Sequence, residues 1–283
     1  MILSSLKIRM ILIACVVVLL GFAAMRPADL RDKALKTSGI TGQAELDGRV
    51  ILEKMAAAHG SRSYHSKAQQ TFRFKNTWQW LPGAMYRPWR ENGQAIEMTC
   101  FTGASLKAET RFLSGVNKGE IWGVDQQRAY TRKNTRAAPI WQRDANIELW
   151  ISSFQFLFEL PFRTAYYPLV ADMGMDQLDG QSYRKVFVTW NNAQASNAYD
   201  QLILWINPTT YLLEKAHYTC RDSGFGFFTA TIHYRDYVKR NGFLAAQSAD
   251  ITFGGPQARY FGQYIELHRI EYLGTPAYTA TDQ

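Results

Sequence analysis

Hydrophobic and polar residues alternate along the stretch from residue 72 to residue 80. Four of its even-numbered positions are aromatic, namely Phe72, Phe74, Trp78 and Trp80. The odd-numbered positions between them are polar, namely Arg73, Lys75, Thr77 and Gln79. Because successive side chains of a strand point to opposite faces of a sheet, this pattern predicts a strand with one apolar and one solvated face.

The longest strand-like stretch lies between Tyr199 and Tyr237 and predicts a hairpin at the centre of an antiparallel sheet. Its first turn is predicted at Asn207-Pro208, because proline fixes φ and asparagine can bond its own backbone. Asn241-Gly242 predicts another tight turn. With the remaining apolar runs, we expect about ten strands joined by short turns. The fold class indicated is α+β, with a mostly antiparallel sheet and helices against one face.

A first helix is predicted at Leu46–His59, where apolar side chains recur at helical spacing and Gly60 can serve as the C-cap. The face expected to lie on the sheet consists of Leu46, Val50, Ile51, Met55 and Ala58.

A second helix is predicted at Asn146–Leu160, between Asp144 as N-cap and Pro161. Its polar side chains fall in a narrow wedge formed by Glu148, Ser152, Gln155 and Glu159. A helix packed on one side only would have a wider polar face. We therefore expect this helix to be covered on several sides, by protein or by a bound molecule.

Residues 1–25 have the pattern of a signal peptide or an N-terminal membrane anchor, with basic Lys7 and Arg9 before the uncharged run Met10–Met25. The run is shorter than the about 20 residues of a spanning helix, and cleavage after Ala23 fits its small residues. An uncleaved anchor and acylation of Cys15 are the alternatives. Each exports the chain, to the periplasm or to the periplasmic side of the inner membrane. Residues 26–45 are expected to be a tether, and 276–283 a loose C-terminus.

The formal charge of +8 is spread over lysines and arginines interspersed with acidic residues. This pattern is typical of a solvated surface; it does not favour nucleic acid, and a membrane surface remains an alternative partner. Beyond the leader the cysteines are Cys100 and Cys220. In an oxidising compartment they would form a disulfide or remain two small buried thiols.

The two stretches Tyr183–Trp190 and Asp200–Asp222 include a strand, the turn Ile206-Asn207-Pro208-Thr209-Thr210 and a second strand. This hairpin resembles the strand, Asp-Pro-x-Thr turn, strand pattern of the bacterial LolA/LolB-like lipoprotein carriers, with Asn207 in place of the aspartate. The resemblance implies that residues 46–275 form one domain. Its curved sheet would be an incomplete barrel, with helices against the concave face.

The resemblance also implies that the concave face binds an acyl chain, from a lipid or from a lipidated partner. Large apolar side chains of the aromatic strand, the second helix and two later strands are the expected lining: Phe72, Phe74, Trp78, Trp80, Trp150, Phe154, Leu157, Phe158, Trp190 and Trp205. The alternative is a membrane-tethered interaction or sensor module of the same fold, whose core these side chains fill themselves.

The sequence contains no assembled motif for catalysis or metal binding, such as His-Glu-x-x-His, Cys-x-x-Cys, Gly-x-Ser-x-Gly or a Walker loop. Asp222 could act as an acid, but such residues more commonly belong to turns. His217 and His233 are equidistant from Phe225, so a symmetric hairpin would place them opposite each other, as a structural pair or as metal ligands. We expect a non-catalytic protein without a cofactor or metal.

Overall fold

The structure is a computed structural model and describes residues 27–79, 89, 91–190, 198–221 and 226–259, with the backbone of a further strand at Phe261–Glu271. The predicted leader, Trp80, Asp222 and the C-terminal residues 276–283 lie outside the described residues.

The described strands are β1 Gln69–Trp78, β2 Gln94–Phe101, β3 Ala108–Phe112, β4 Ile121–Asp125, β5 Arg128–Arg132, β6 Ile140–Gln142, β7 Leu169–Leu178, β8 Gln181–Thr189, β9 Gln201–Ile206, β10 Leu213–Thr219, β11 Thr229–Arg240, β12 Phe243–Phe253 and β13 Phe261–Glu271.

These thirteen described strands form one antiparallel sheet in the order β6-β5-β4-β3-β2-β1-β13-β12-β11-β10-β9-β8-β7. Sequence neighbours pair throughout, except that β6 does not pair with β7, and β13 also pairs with β1. The two edges, β6 and β7, do not meet, so the sheet is an incomplete barrel. The predicted fold class is confirmed. Strands β6 and β7 were not predicted; β7 is interrupted by an irregularity between Asp172 and Met175, which hides its alternation.

The described helices are α1 Lys33–Ser38, α2 Gly42–His59, α3 Ser61–His65 and α4 Ala145–Glu159, and 3₁₀ turns follow α4 at Leu160–Phe162 and Thr164–Tyr166. Both predicted helices are present, and α2 ends as expected at Gly60 in the left-handed conformation. Among the described residues, no helix combines the length and apolar character needed to cross a bilayer.

The face predicted for α2 is partly wrong. Leu46 is 64% exposed and Val50 is also exposed, whereas Gly48 and Leu52 are buried. The reason is that α2 approaches the sheet through Gly48, where an added Cβ would lie 3.0 Å from the backbone nitrogen of Asp172 in β7. The helix is therefore rotated away from the face that the large side chains suggest.

The main core lies on the side of the sheet that contacts α2 and α4, which we call the inner face. It joins Leu52 of α2 and Phe154 of α4 to inward residues such as Phe72 and Leu204. A smaller cluster on the opposite, outer face includes Leu35 of α1. Residues 26–45 are thus not a loose tether in their described part, because Leu30 and Leu35 pack on β7–β9.

The turns follow their predicted chemistry. The Asn207 side-chain oxygen accepts hydrogen bonds from the backbone N–H groups of Thr209 and Thr210, both at 3.0 Å. Asn241 and Gly242 both have positive φ, as a tight hairpin turn requires.

The predicted pairing of His217 with His233 is wrong. The register places His233 opposite Lys215 and His217 opposite Thr231, because the β10–β11 connection is not symmetric about Phe225. Cys100 and Cys220 are not joined in a disulfide, so the disulfide alternative does not hold.

Candidate functional site

Helix α4 lies on the inner face and carries a row of aromatic side chains against β1. The Asp144 side chain caps its first turn by accepting hydrogen bonds from the backbone N–H groups of Asn146 and Ile147. Three kinds of ring contact then connect helix and strand. The ring centroids are 4.9 Å apart for Phe72 and Phe158, 5.3 Å for Phe74 and Phe154, and 5.1 Å for Trp78 and Trp150.

The other sides of α4 are also covered, as its narrow polar wedge predicted. Trp89 is buried, and its ring lies 5.3 Å from that of Phe154. On the opposite flank Phe156 lies 5.8 Å from Trp190. Sequence analysis did not identify Trp89 as part of this cluster, because it belongs to no strand or helix and has no periodic pattern.

The structure brings together most of the predicted lining. Seven of these side chains belong to the main core or pack against it: Phe72, Phe74, Trp150, Phe154, Leu157, Phe158 and Trp190. Trp78 joins the core through its contact with Trp150. Trp205 does not belong to this site. It lies on the outer face, 5.6 Å from Tyr183, because the inward positions of β9 are Leu202, Leu204 and Ile206. Trp80 lies outside the described residues.

The space beneath α4 is nearly filled by the protein's own side chains. A cavity of about 20 Å³ remains between the C-terminal end of α4 and strands β11 and β12, lined among others by Leu157, Phe158, Tyr234 and Tyr237. This volume accommodates about one water molecule. In this conformation an acyl chain could enter only if α4 moved away from the sheet.

A buried polar network holds the C-terminal end of α4. The Glu159 carboxylate accepts hydrogen bonds from Tyr64 Oη at 2.7 Å, from Arg163 Nη1 at 2.8 Å and from Gln155 Nε2 at 3.2 Å. Arg163 also donates to the backbone oxygen of Ala104. Burial raises the pKa of Glu159, and the Arg163 guanidinium opposes that rise. The ion pair therefore stabilises a charge that would otherwise be costly in this core.

Two further tyrosines bind the backbone at this end. Tyr234 donates to the backbone oxygen of Leu157 at 3.0 Å, and Tyr167 donates to that of Leu160 at 2.8 Å. The N-terminal half of α4, by contrast, is held by the packing of Trp150 on Trp78 and by buried Ile147 and Ile151. Its polar contacts include one from the backbone N–H of Ala129 to the Glu148 carboxylate at 3.3 Å. The two halves are thus attached to the sheet by different kinds of interaction. Polar residues in an otherwise apolar helix were the sequence signal for this network.

Burial shifts the pKa values of several titratable groups near the site. Burial raises the pKa of Cys220 to about 12 and that of Cys100 well above its usual range, so neither thiol ionises near neutral pH. Burial lowers the pKa of His59 to about 4. Within the described part of the chain, no group of three histidine, cysteine, aspartate or glutamate side chains is placed to hold a metal ion.

No protein-family model and no curated protein matches the sequence. Solved structures do match the fold. A DUF1329 family protein from Desulfovibrio piger aligns with 11% identity and a TM-score of 0.53, covering 81% of this chain and 93% of that one. A putative outer membrane lipoprotein-sorting protein domain from Vibrio parahaemolyticus aligns with 8% identity and a TM-score of 0.51, covering 80% and 92%.

The LolA superfamily protein NE2245 from Nitrosomonas europaea aligns with 13% identity and a TM-score of 0.50, covering 81% of this chain and 94% of that one. At these identities the similarity concerns the fold. The thirteen-stranded open sheet with helices on its inner face is therefore a LolA/LolB-like fold.

Proposed function

We propose that this is an exported, non-catalytic envelope protein that binds a lipid or a lipidated partner between α4 and the inner face of the sheet. The observation that carries the proposal is the unequal attachment of α4. Its C-terminal end is held by the network around Glu159, whereas its N-terminal half rests on the ring of Trp78 through Trp150. Separating the N-terminal half from the sheet would break few polar contacts, among them the hydrogen bond from the backbone N–H of Ala129 to Glu148.

An acyl chain can replace such contacts without loss. Ring pairs contribute about 0.5–1.5 kcal/mol each beyond their buried area, and a buried methylene group contributes about 0.8 kcal/mol. A chain inserted between Trp150 and Trp78 would exchange ring-to-ring contacts for ring-to-methylene contacts. The name of the Vibrio parahaemolyticus neighbour, a putative lipoprotein-sorting domain, supports this choice of ligand.

A second candidate is supported by the small size of the remaining cavity. With about 20 Å³ beneath α4, the core is almost filled by the protein itself. We propose as the alternative an interaction or sensor module, which would use the same fold without admitting a lipid. The two candidates differ in whether α4 leaves the sheet when lipid is present.

Titration of the full chain with a fluorescent fatty acid, followed by displacement with a diacylated lipopeptide, tests the first candidate. We expect saturable binding and loss of amide-exchange protection in 145–152. Trp78→Leu removes the inner-face ring that contacts Trp150 and should raise the dissociation constant about fivefold, the equivalent of about 1 kcal/mol. Trp205→Leu, on the outer face, is the matched control and should change it less than twofold, since no ligand contact is lost.

Solvent extraction of the chain purified from envelopes, analysed by mass spectrometry, supplies an independent measurement. We expect a bound lipid. An empty extract, combined with no saturable binding and unchanged amide exchange in α4, would favour the second candidate.

A further inference from the structure

Large exposed apolar side chains concentrate on one rim of the sheet. This rim, which we call the Tyr199 rim, contains the ends of β3, β8, β10 and β12 and the starts of β4, β6, β9 and β11. Four connections on it expose a large apolar side chain: Val116, Ile140, Tyr199 and Phe228. The described turns of the opposite rim, at 102–107, 126–127, 207–212 and 241–242, expose none of comparable size.

The same rim is predominantly basic. Its described connections expose Lys118, Lys133, Arg136 and Arg259, whereas Glu120 is the exposed acidic side chain among them. Apolar side chains flanked by lysine and arginine are the combination that binds the headgroup region of a bilayer containing anionic lipid. The opposite rim also exposes basic side chains, among them Arg128, Lys239 and Arg240, so the exposed apolar side chains are what distinguish the Tyr199 rim.

The N-terminal segment joins the domain at this rim. The backbone N–H of Ala28 donates to the backbone oxygen of Gly226 at 3.0 Å, and Arg221 Nη2 donates to the backbone oxygen of Ala28 at 2.7 Å. Leu30 is fixed a few residues later by the side chain of Gln201. The backbone of Ala28 is therefore held at Gly226, two residues before Phe228, and the uncharged run Met10–Met25 ends two residues before Pro27 in the chain.

We propose that the Tyr199 rim lies on a bilayer containing anionic lipid, with the leader retained as the tether. The two hydrogen bonds of Ala28 hold the chain at the Tyr199 rim, so a tether that precedes residue 27 in the sequence would join the domain at this rim. This inference concerns the orientation of the domain and does not depend on lipid binding beneath α4.

Nitroxide labels on the full chain in nanodiscs test the proposal. Phe228→Cys and Val116→Cys place labels on the Tyr199 rim, and Thr209→Cys is the control on the opposite rim. In bilayers containing phosphatidylglycerol, the first two labels should be more accessible to oxygen than to a water-soluble nickel chelate, and the third should show the reverse. The chain without an added cysteine supplies the background.

Two further outcomes decide the proposal. Changing Lys133 and Arg136 together to glutamate should reduce the ratio of immersed to non-immersed Val116 label about fivefold per residue replaced. The intact mass of the membrane-bound chain should include residues 1–23. Equal label accessibility on the two rims, an unchanged Val116 signal in the charge variant, or a chain lacking residues 1–23 would overturn it.

Discussion

At the residue scale, the pair formed by Glu159 and Arg163 is the most consequential polar contact in the core. Both side chains are buried, with 2% and 7% of their surface exposed. Removing one partner of such a pair leaves a buried charge, whereas replacing both by apolar groups is often tolerated. The pair therefore matters for stability mainly because each side chain compensates the buried charge of the other, and less because of the Coulomb attraction itself.

We predict that Arg163→Met lowers the free energy of unfolding by about 3–5 kcal/mol at pH 7, because Glu159 loses its compensating charge. The double variant Glu159→Met, Arg163→Met should recover most of this loss. Urea unfolding monitored by tryptophan fluorescence measures both. A double variant that is less stable than Arg163→Met would show that the pair contributes more than mutual compensation.

At the element scale, the contact between α2 and β7 depends on the absence of a side chain at Gly48. An added Cβ would lie 3.0 Å from Asp172 N and 3.2 Å from Ala171 C, both backbone atoms that cannot turn aside. We predict that Gly48→Val destabilises the fold by about 1–3 kcal/mol through overpacking. Thermal unfolding followed by circular dichroism would measure the loss.

Gly42→Ala is the matched control in the same helix. No atom lies within 4 Å of a Cβ added there, so only helix propensity acts, and the stability should stay the same or rise by up to about 1 kcal/mol. If Gly48→Val proved as harmless as Gly42→Ala, the close approach of α2 to β7 would not be maintained in solution.

The elements themselves were largely predictable from local signals. Asp144 and Pro161 located α4 to within one residue, and Asn207-Pro208 located a turn, because caps and turns depend on neighbouring residues. The face on which Trp205 lies was not predictable. In a strand whose residues are all buried, both faces are apolar, and only the covering elements show which is the inner one.

The site was predictable only as far as it depends on pattern. The alternation of β1 identified Phe72 and Phe74, and the composition of α4 identified Phe154. The polar residues of α4 indicated Glu159, but its partner Tyr64 lies on a distant helix, so no local pattern could reveal the complete network. The packing of Leu35 on the outer face was hidden for the same reason, because one apolar residue in a charged segment has no periodicity.

At the scale of the whole molecule, three histidines on different elements make stability depend on pH. Burial lowers the pKa values of His59, His217 and His233 to about 4 from their ordinary value of 6.5, and for His233 the charges of Lys215 and Arg235 add to this effect. The folded state thus binds protons less readily than the unfolded state. The contribution of these histidines to the free energy of unfolding is fully present above pH 6.5 and is lost as the pH falls towards 4.

Of the three histidines, His59 should contribute most to the pH dependence of stability. It is fully buried, and its Nε2 accepts a hydrogen bond from the backbone N–H of Leu213 at 3.0 Å. Protonation would remove that acceptor inside the core. A shift of this size corresponds to about 3 kcal/mol for a buried group, whereas the shifts of the two partly exposed histidines count for less.

We predict that His59→Gln, which retains an acceptor for Leu213, flattens the decline in the free energy of unfolding between pH 6.5 and 4. His217→Gln, on the partly exposed outer face, should flatten it less and serves as the matched control. Urea unfolding at half-unit pH intervals gives the slopes. Because Glu159 and Asp250 have raised pKa values and contribute with the opposite sign, only differences between variants and the parent chain are informative. Identical slopes for His59→Gln and the parent would mean that His59 is already solvated in the folded state, and that the end of α2 is less firmly closed on β10 than its buried ring indicates.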